Sequence, residues 1–435
     1  MFAAALEKIG PRRLAGSRLL QNVAALYGVQ AGRKIIPLIT IPYLARVLGP
    51  IGWGKVAFVT AVSEFVVILI EFGFNLSATR EIARHRGSPA KCGEIMAGVL
   101  GAQILLAILG VSLALCLSPF IPLLNDNHDL LAGGLVYGVM QGSSPLWFFQ
   151  GLERMRVSSA LEVSGKLAGL CGLFLFVHSP ADAWKVMALA GIAPAVTTLA
   201  CFVLAYRTIP LHAPSIAHVR NALQMGWRMF VFRSAESLYG VGNVFLLGLF
   251  APPAIVGYFA SAEKVSKAAF GLLNPIRDAI FPRLSHLALQ GREAAGRLAR
   301  LGAAAMIGGG VALGIALFLF APVVIRLLMG AAFEPAVAAL RILSALPVLL
   351  SITYSIGFQW LLPHGKDALI NRIILSAGVL NVTMSFLLAP RFAHVGMAWA
   401  VVCSEAFVSV CMVVAVLRSA PLWAPARVTA TQENC

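Results

Sequence analysis

Residues Glu94–Cys116 read EIMAGVLGAQILLAILGVSLALC, and after Glu94 the run contains no Lys, Arg, Asp or Glu. An α-helix rises about 1.5 Å per residue, so about 20 such residues cross the roughly 30 Å hydrocarbon of a bilayer. The run is continuous, whereas a transmembrane β-barrel needs alternating segments of about ten residues. Comparable stretches recur along the whole 435-residue chain, near 20–48, 54–75, 94–116, 130–149, 159–178, 185–206, 227–250, 254–281, 301–320, 336–362, 369–389 and 395–417. With 59% hydrophobic and 12% charged residues, the composition is not that of a soluble globule. It predicts an all-α integral membrane protein of about twelve spans. No interval between spans is long enough for a soluble domain.

The formal net charge is +16, and its distribution argues against nucleic acid. With the amino end in the cytoplasm, the inner segments receive clusters such as Lys8, Arg12, Arg13 and Arg18, then Arg80, Arg84, Arg86 and Lys91, then Arg283, Arg292, Arg297 and Arg300. More than half of the 34 Lys and Arg residues fall on that side. The outer loops keep Arg326 and Arg391, and the loop at 117–129 is acidic through Asp126 and Asp129. This positive-inside pattern predicts an inner-membrane protein with both termini cytoplasmic.

The halves resemble each other at a near-constant offset. Leu48-Gly49-Pro50 followed by Gly54 recurs as Phe250-Ala251-Pro252 followed by Gly257, and Leu117-Ser118-Pro119 recurs as Phe320-Ala321-Pro322. A duplicated six-helix unit has parallel repeats, because six crossings return the chain to its starting side. The expected layout is an amino-terminal lobe at 1–206, a linker at 207–226, a carboxyl-terminal lobe at 227–417 and a tail at 418–435. The two six-helix lobes would surround a central cavity, the arrangement of an alternating-access transporter.

Charges within the spans are the candidates for function. A cation at the bilayer centre costs roughly 2.5–3.5 kcal/mol on insertion scales, so it needs a partner or a watered cavity. Arg33 and Lys34 interrupt the first span, about 100° apart on a helix, with Pro37 and Pro42 following. They either face a lumen or pair with Glu64 and Glu71 of the second span, which share a helix face. Arg233 lies in the seventh span with Glu236 three positions on. The eighth holds Glu263, Lys264, Lys267, Arg277 and Asp278. There Glu263 and Lys267 neutralise each other in part at i, i+4, which leaves Lys264 without an obvious local partner. Glu162 and Lys166 form another such pair, read as structural. Candidate cargo-binding cations are therefore Arg33, Lys34, Arg233, Lys264, Lys267 and Arg277. Glu64, Glu71, Asp278 and Glu405 are candidates for a coupled H⁺ or Na⁺.

Other chemistry finds little support. The cysteines are scattered without a CxxC pair, giving neither a disulfide framework nor a metal site. There is no GxxxxGK[ST] loop and no Ser/His/Asp constellation. The sequence implies no catalytic residues and no cofactor.

Several segments then point to a family. Ile41-Pro42-Tyr43-Leu44-Ala45-Arg46-Val47-Leu48-Gly49-Pro50 through Gly54 resembles the first signature of bacterial polysaccharide-export flippases. Phe72-Gly73-Phe74-Asn75-Leu76-Ser77-Ala78-Thr79-Arg80-Glu81-Ile82-Ala83-Arg84 is similar to the second. Trp147-Phe148-Phe149-Gln150-Gly151-Leu152-Glu153, Gly257-Tyr258-Phe259, Ala262-Glu263-Lys264 and Phe281-Pro282-Arg283 continue the likeness in order. The chain thus resembles the O-antigen and exopolysaccharide flippases of the multidrug/oligosaccharidyl-lipid/polysaccharide exporter superfamily. The resemblance implies twelve or more helices, a cationic lumen and cargo made of an oligosaccharide on a polyprenyl pyrophosphate. Membrane lipid, polysaccharide polymerase and chain-length machinery are the expected partners. A pyrophosphate head suits Arg and Lys, with Arg able to bind bidentately. Two rival readings are a cation-coupled multidrug exporter of the same superfamily and a membrane polysaccharide polymerase or glycosyltransferase. The second would be expected to carry a long extramembrane catalytic loop.

Overall fold

The computed structural model describes residues 18–276, 292–361 and 366–418. Within these, side chains are described from residue 36 onward, apart from 232–233, 235–239, 292–299, 358–360 and 367. No strand occurs among the described residues. The helices are α1 (Arg18–Glu71), α2 (Phe74–Arg84), α3 (Pro89–Leu117), α4 (Pro122–Asn125), α5 (His128–Gly142), α6 (Leu146–Gly151), α7 (Met155–Phe176) and α8 (Ala183–Tyr206). They continue as α9 (Ile216–Gly240), α10 (Gly242–Gly248), α11 (Pro253–Gly271), α12 (Arg292–Leu328), α13 (Ala336–Leu343), α14 (Leu346–Ile352) and α15 (Asp367–Arg418), with a π-helical stretch at Thr353–Leu361 between the last two.

Seven helical segments among the described residues are long and apolar enough to cross a membrane. Ile36–Arg84 and Ala368–Arg418, of 49 and 51 residues, each hold enough chain for two crossings at about 20 residues apiece. Each long helix breaks once. In α1 the break is Gly49 (φ 65°, ψ 179°), a conformation open in practice only to glycine. The helix runs through Pro37 and Pro42 and leaves helical geometry at Gly49. In α15 the break is Ala393 (φ 51°, ψ −129°).

Local chemistry sets the other ends. Ser88 caps α3 by accepting from the Lys91 N–H at 3.4 Å, with Pro89 in the first turn. Serine satisfies an orphan donor there, and proline has no donor to lose. From that cap α3 is apolar on all faces, and Leu105, Ile108 and Leu109 remain exposed, as a lipid-facing helix requires. Helix α9 starts at Ile216, within the segment 207–226, and continues without interruption to Gly240.

By packing, the chain divides into Met1–Gly257 with Leu328–Ala332, and Tyr258–Leu327 with Phe333–Cys435. The first unit buries Phe58, Phe74, Trp147 and Phe148 completely. It also contains Gly54 and Gly257, the glycines aligned by the sequence offset. A Cβ on Gly54 would strike the Pro253 carbonyl, and one on Gly257 would strike the Pro50 carbonyl. The segments around Pro50–Gly54 and Pro253–Gly257 therefore approach backbone to backbone. In the second unit Phe270, Leu273 and Met306 form a core against Tyr354. The Ser266 hydroxyl donates to the Leu343 carbonyl at 2.6 Å, and Ser409 meets Thr353 at 3.0 Å.

Candidate functional site

A cavity of about 870 Å³ lies within the first unit. The second half of α1 supplies Glu64 and Glu71, two turns apart on the face that sequence spacing predicts. Asn75 of α2, Tyr137 and Gln141 of α5, and Gln150 of α6 line it as well. From α7 come Glu162 and Lys166, and from α8 Thr197. The Tyr137 hydroxyl donates to Glu64 Oε1 at 2.8 Å. Lys166 Nζ donates to Glu162 Oε1 at 2.6 Å, with the carboxylate side chain 12% exposed. A fixed ion pair and a phenol–carboxylate bond thus sit inside a bundle whose outer faces are apolar.

Among the described side chains the cavity holds more acid than base: Glu64, Glu71 and Glu162 face Lys166 alone. The predicted pairing of Glu162 with Lys166 is present. So is that of Glu263 with Lys267, at 2.9 Å. Lys264 is half-buried and engaged by an interaction of its own. Glu405 is 8% exposed within α15 and is also engaged. Arg33, Lys34 and Arg233 lie on described helices, but their side chains are outside the described residues. Arg277 and Asp278 fall outside them altogether.

Sequence reasoning missed Tyr137, Asn75, Gln141 and Thr197. Their signal was present as single polar residues in apolar runs, but nothing in the sequence pairs Tyr137 with a carboxylate 73 positions away.

Comparison with known proteins accords with this architecture. The sequence pattern of the family described as "Polysaccharide biosynthesis protein" matches residues 19–288. A protein of Escherichia coli (strain K12) named "Putative O-antigen transporter" is 31% identical over 407 residues, covering 90% of this chain and 95% of its own. One of the same name from Shigella dysenteriae is 27% identical, covering 92% and 99%. Among solved structures, the lipid II flippase MurJ in an inward closed conformation superposes with a TM-score of 0.71 at 10% identity, covering 92% of this chain and 87% of that one. An inward-facing multidrug resistance MATE family transporter gives 0.68 at 13% identity, covering 92% and 99%. These structural likenesses are ones of fold. The chain belongs to the polysaccharide biosynthesis protein family, on the fold of the multidrug/oligosaccharidyl-lipid/polysaccharide exporter superfamily.

Proposed function

We propose that the protein flips a polyprenyl-pyrophosphate-linked oligosaccharide from the cytoplasmic to the periplasmic leaflet of the inner membrane by alternating access, serving cell-surface polysaccharide synthesis. The observation that carries this reading is a charged, hydrogen-bonded cavity enclosed in a lipid-facing helix bundle, in a chain whose relatives are named O-antigen transporters. The polyprenyl tail stays in lipid while the head and sugars cross a wet path. Arg33, Lys34, Arg233, Lys264, Lys267 and Arg277 are the proposed contacts for the pyrophosphate, by charge-assisted hydrogen bonds. The carboxylates of the cavity suit a different task. Glu64 and Glu71 are proposed to take up a coupling proton or Na⁺, with Asp278 and Glu405 as further candidates.

Deleting the gene and examining the lipid-linked intermediates tests the reading. Complete oligosaccharide retained on the inner leaflet is expected; truncated oligosaccharide would mean an enzyme of assembly instead. Replacing Arg33, Lys34, Arg233 and Lys264 singly by Gln should lower export in at least two cases, with membrane insertion intact. Normal export from all four would sink the pyrophosphate assignment. The carboxylates Glu64, Glu71 and Glu162 in the cavity also favour a second reading, a cation-coupled exporter of cationic drugs. Raised drug sensitivity in the deletion strain, with normal lipid-linked glycan, would select it.

A further inference from the structure

A second cavity, of about 720 Å³, opens at the other end of the first unit from Arg84, Arg86, Lys91 and Arg154. Its size lies within the range of small-ligand pockets, about 300–1,000 Å³. Three separate segments form the walls: the turn at Gly49 and Pro50, the loop Asp126–Asp129, and the entry to α8 from Pro180 to Trp184.

The walls are braced. Ser179 and Asp182 form a reciprocal cap, in which Asp182 accepts from the His178 and Ser179 backbone N–H groups at 3.1 and 2.9 Å. Lys185 pairs with the same carboxyl at 2.6 Å. The Tyr43 hydroxyl holds the Val177 carbonyl at 2.6 Å. Asn127 is fixed by donating its amide to the Leu123 carbonyl at 2.9 Å.

The groups inside are not used up by one another. Lys55 is half-buried, and Asp126, His128 and Asp129 are exposed. Among the described residues no ion pair joins Lys55 to either carboxylate, although all share one cavity. Beside them the Trp184 side chain is 45% exposed. A tryptophan serving only as an interfacial anchor presents its ring to lipid; Trp184 lines a largely apolar recess that also holds Lys55, Asp126 and Asp129. An apolar ligand would leave cation and carboxylates unmatched, and a simple anion would meet two carboxylates. A sugar ring matches all of them. Its C–H face packs on the indole, its hydroxyls donate to Asp126 and Asp129 as charge-assisted bonds, and a ring or hydroxyl oxygen accepts from Lys55.

We infer that this recess is a saccharide-binding subsite for one or two uncharged sugar residues, engaging the glycan part of the cargo apart from its pyrophosphate. The inference rests on the flippase reading and names the chemistry by which one end of the protein holds the glycan.

The test uses the full-length protein in lipid nanodiscs. The probe is the oligosaccharide freed by mild acid from the cell's own lipid-linked pool, and inorganic pyrophosphate is the control. Saturation-transfer NMR and a titration should show the saccharide binding to wild type. Trp184→Ala and Asp126→Asn should each weaken it about tenfold, and Trp184→Phe by less than about threefold. Pyrophosphate binding should be unchanged in all three. Thermal midpoints and elution profiles check folding, and Lys55→Gln, also expected to weaken binding, gives a variant outside the loop and the ring. No saccharide binding by wild type, or binding indifferent to Trp184→Ala, Asp126→Asn and Lys55→Gln, overturns the inference. Flipping of lipid-linked glycan is measured on the same preparation. Wild type that flips while these variants bind normally sinks the subsite alone, and wild type that does not flip sinks the flippase reading.

Discussion

Glu64 accepts a hydrogen bond from the Tyr137 hydroxyl and shares its cavity with Glu71 and the Glu162–Lys166 pair. A carboxylate so placed in a bundle can bind a proton or a cation as neighbouring helices move. In proteoliposomes, Glu64→Gln is therefore expected to abolish the dependence of flipping on an imposed pH or Na⁺ gradient. An imposed potential favours anion exit by about 2.3 kcal/mol per charge per 100 mV and supplies the comparison. Wild-type gradient dependence in the variant would remove Glu64 from coupling. The ion pair makes a different prediction. Lys166→Met removes the ammonium paired with Glu162 and should cost about 1–2 kcal/mol, reduced from the fully buried case because the lysine side chain is 32% exposed. Adding Glu162→Gln should recover most of that, as read by thermal unfolding in detergent. The i, i+4 pairs were legible in the sequence because the helix itself sets their distance. The Tyr137–Glu64 bond was not, because it depends on how distant helices pack.

At the scale of elements, the two long helices bend at single residues of opposite legibility. Gly49 sits in a family-like motif, and a Cβ placed there meets nothing within 4 Å. Gly49→Ala should therefore lower stability through backbone strain alone, by about 1–3 kcal/mol. Ala393 occupies a positive-φ conformation that glycine tolerates better, and nothing about an alanine in an apolar run announces a bend. Ala393→Gly should raise the thermal midpoint; a fall would show that its methyl packing outweighs the strain. The motif Trp147–Glu153 also has a structural role. Arg86 donates to the Gly151 carbonyl at 2.6 Å and pairs with Glu153 at 2.8 Å, holding Glu153 at φ 56°. Such signatures identify the fold because they fix turns and close approaches, and for that reason they say little about cargo.

Across the whole molecule, the charge pattern makes the topology testable. Reporter fusions after residues 90, 155, 215, 290 and 430 are all expected to face the cytoplasm. A periplasmic signal at 290 would delete the eighth span and break the proposed two-lobe layout. All-helical membrane architecture and repeat offset were readable from hydropathy and spacing, since both are one-dimensional properties. That the repeated glycines touch, and that three loops converge on Trp184, belongs to three dimensions. The division by packing has a further consequence, for biosynthesis. Part of the first unit is the segment Leu328–Ala332, close to Arg46 at Gly330. A ribosome making this chain must pass residue 332 before the earliest half can acquire its last packing partner. Until then the newly inserted helices would wait in the bilayer incompletely assembled, open to membrane-embedded chaperones and to quality-control proteases.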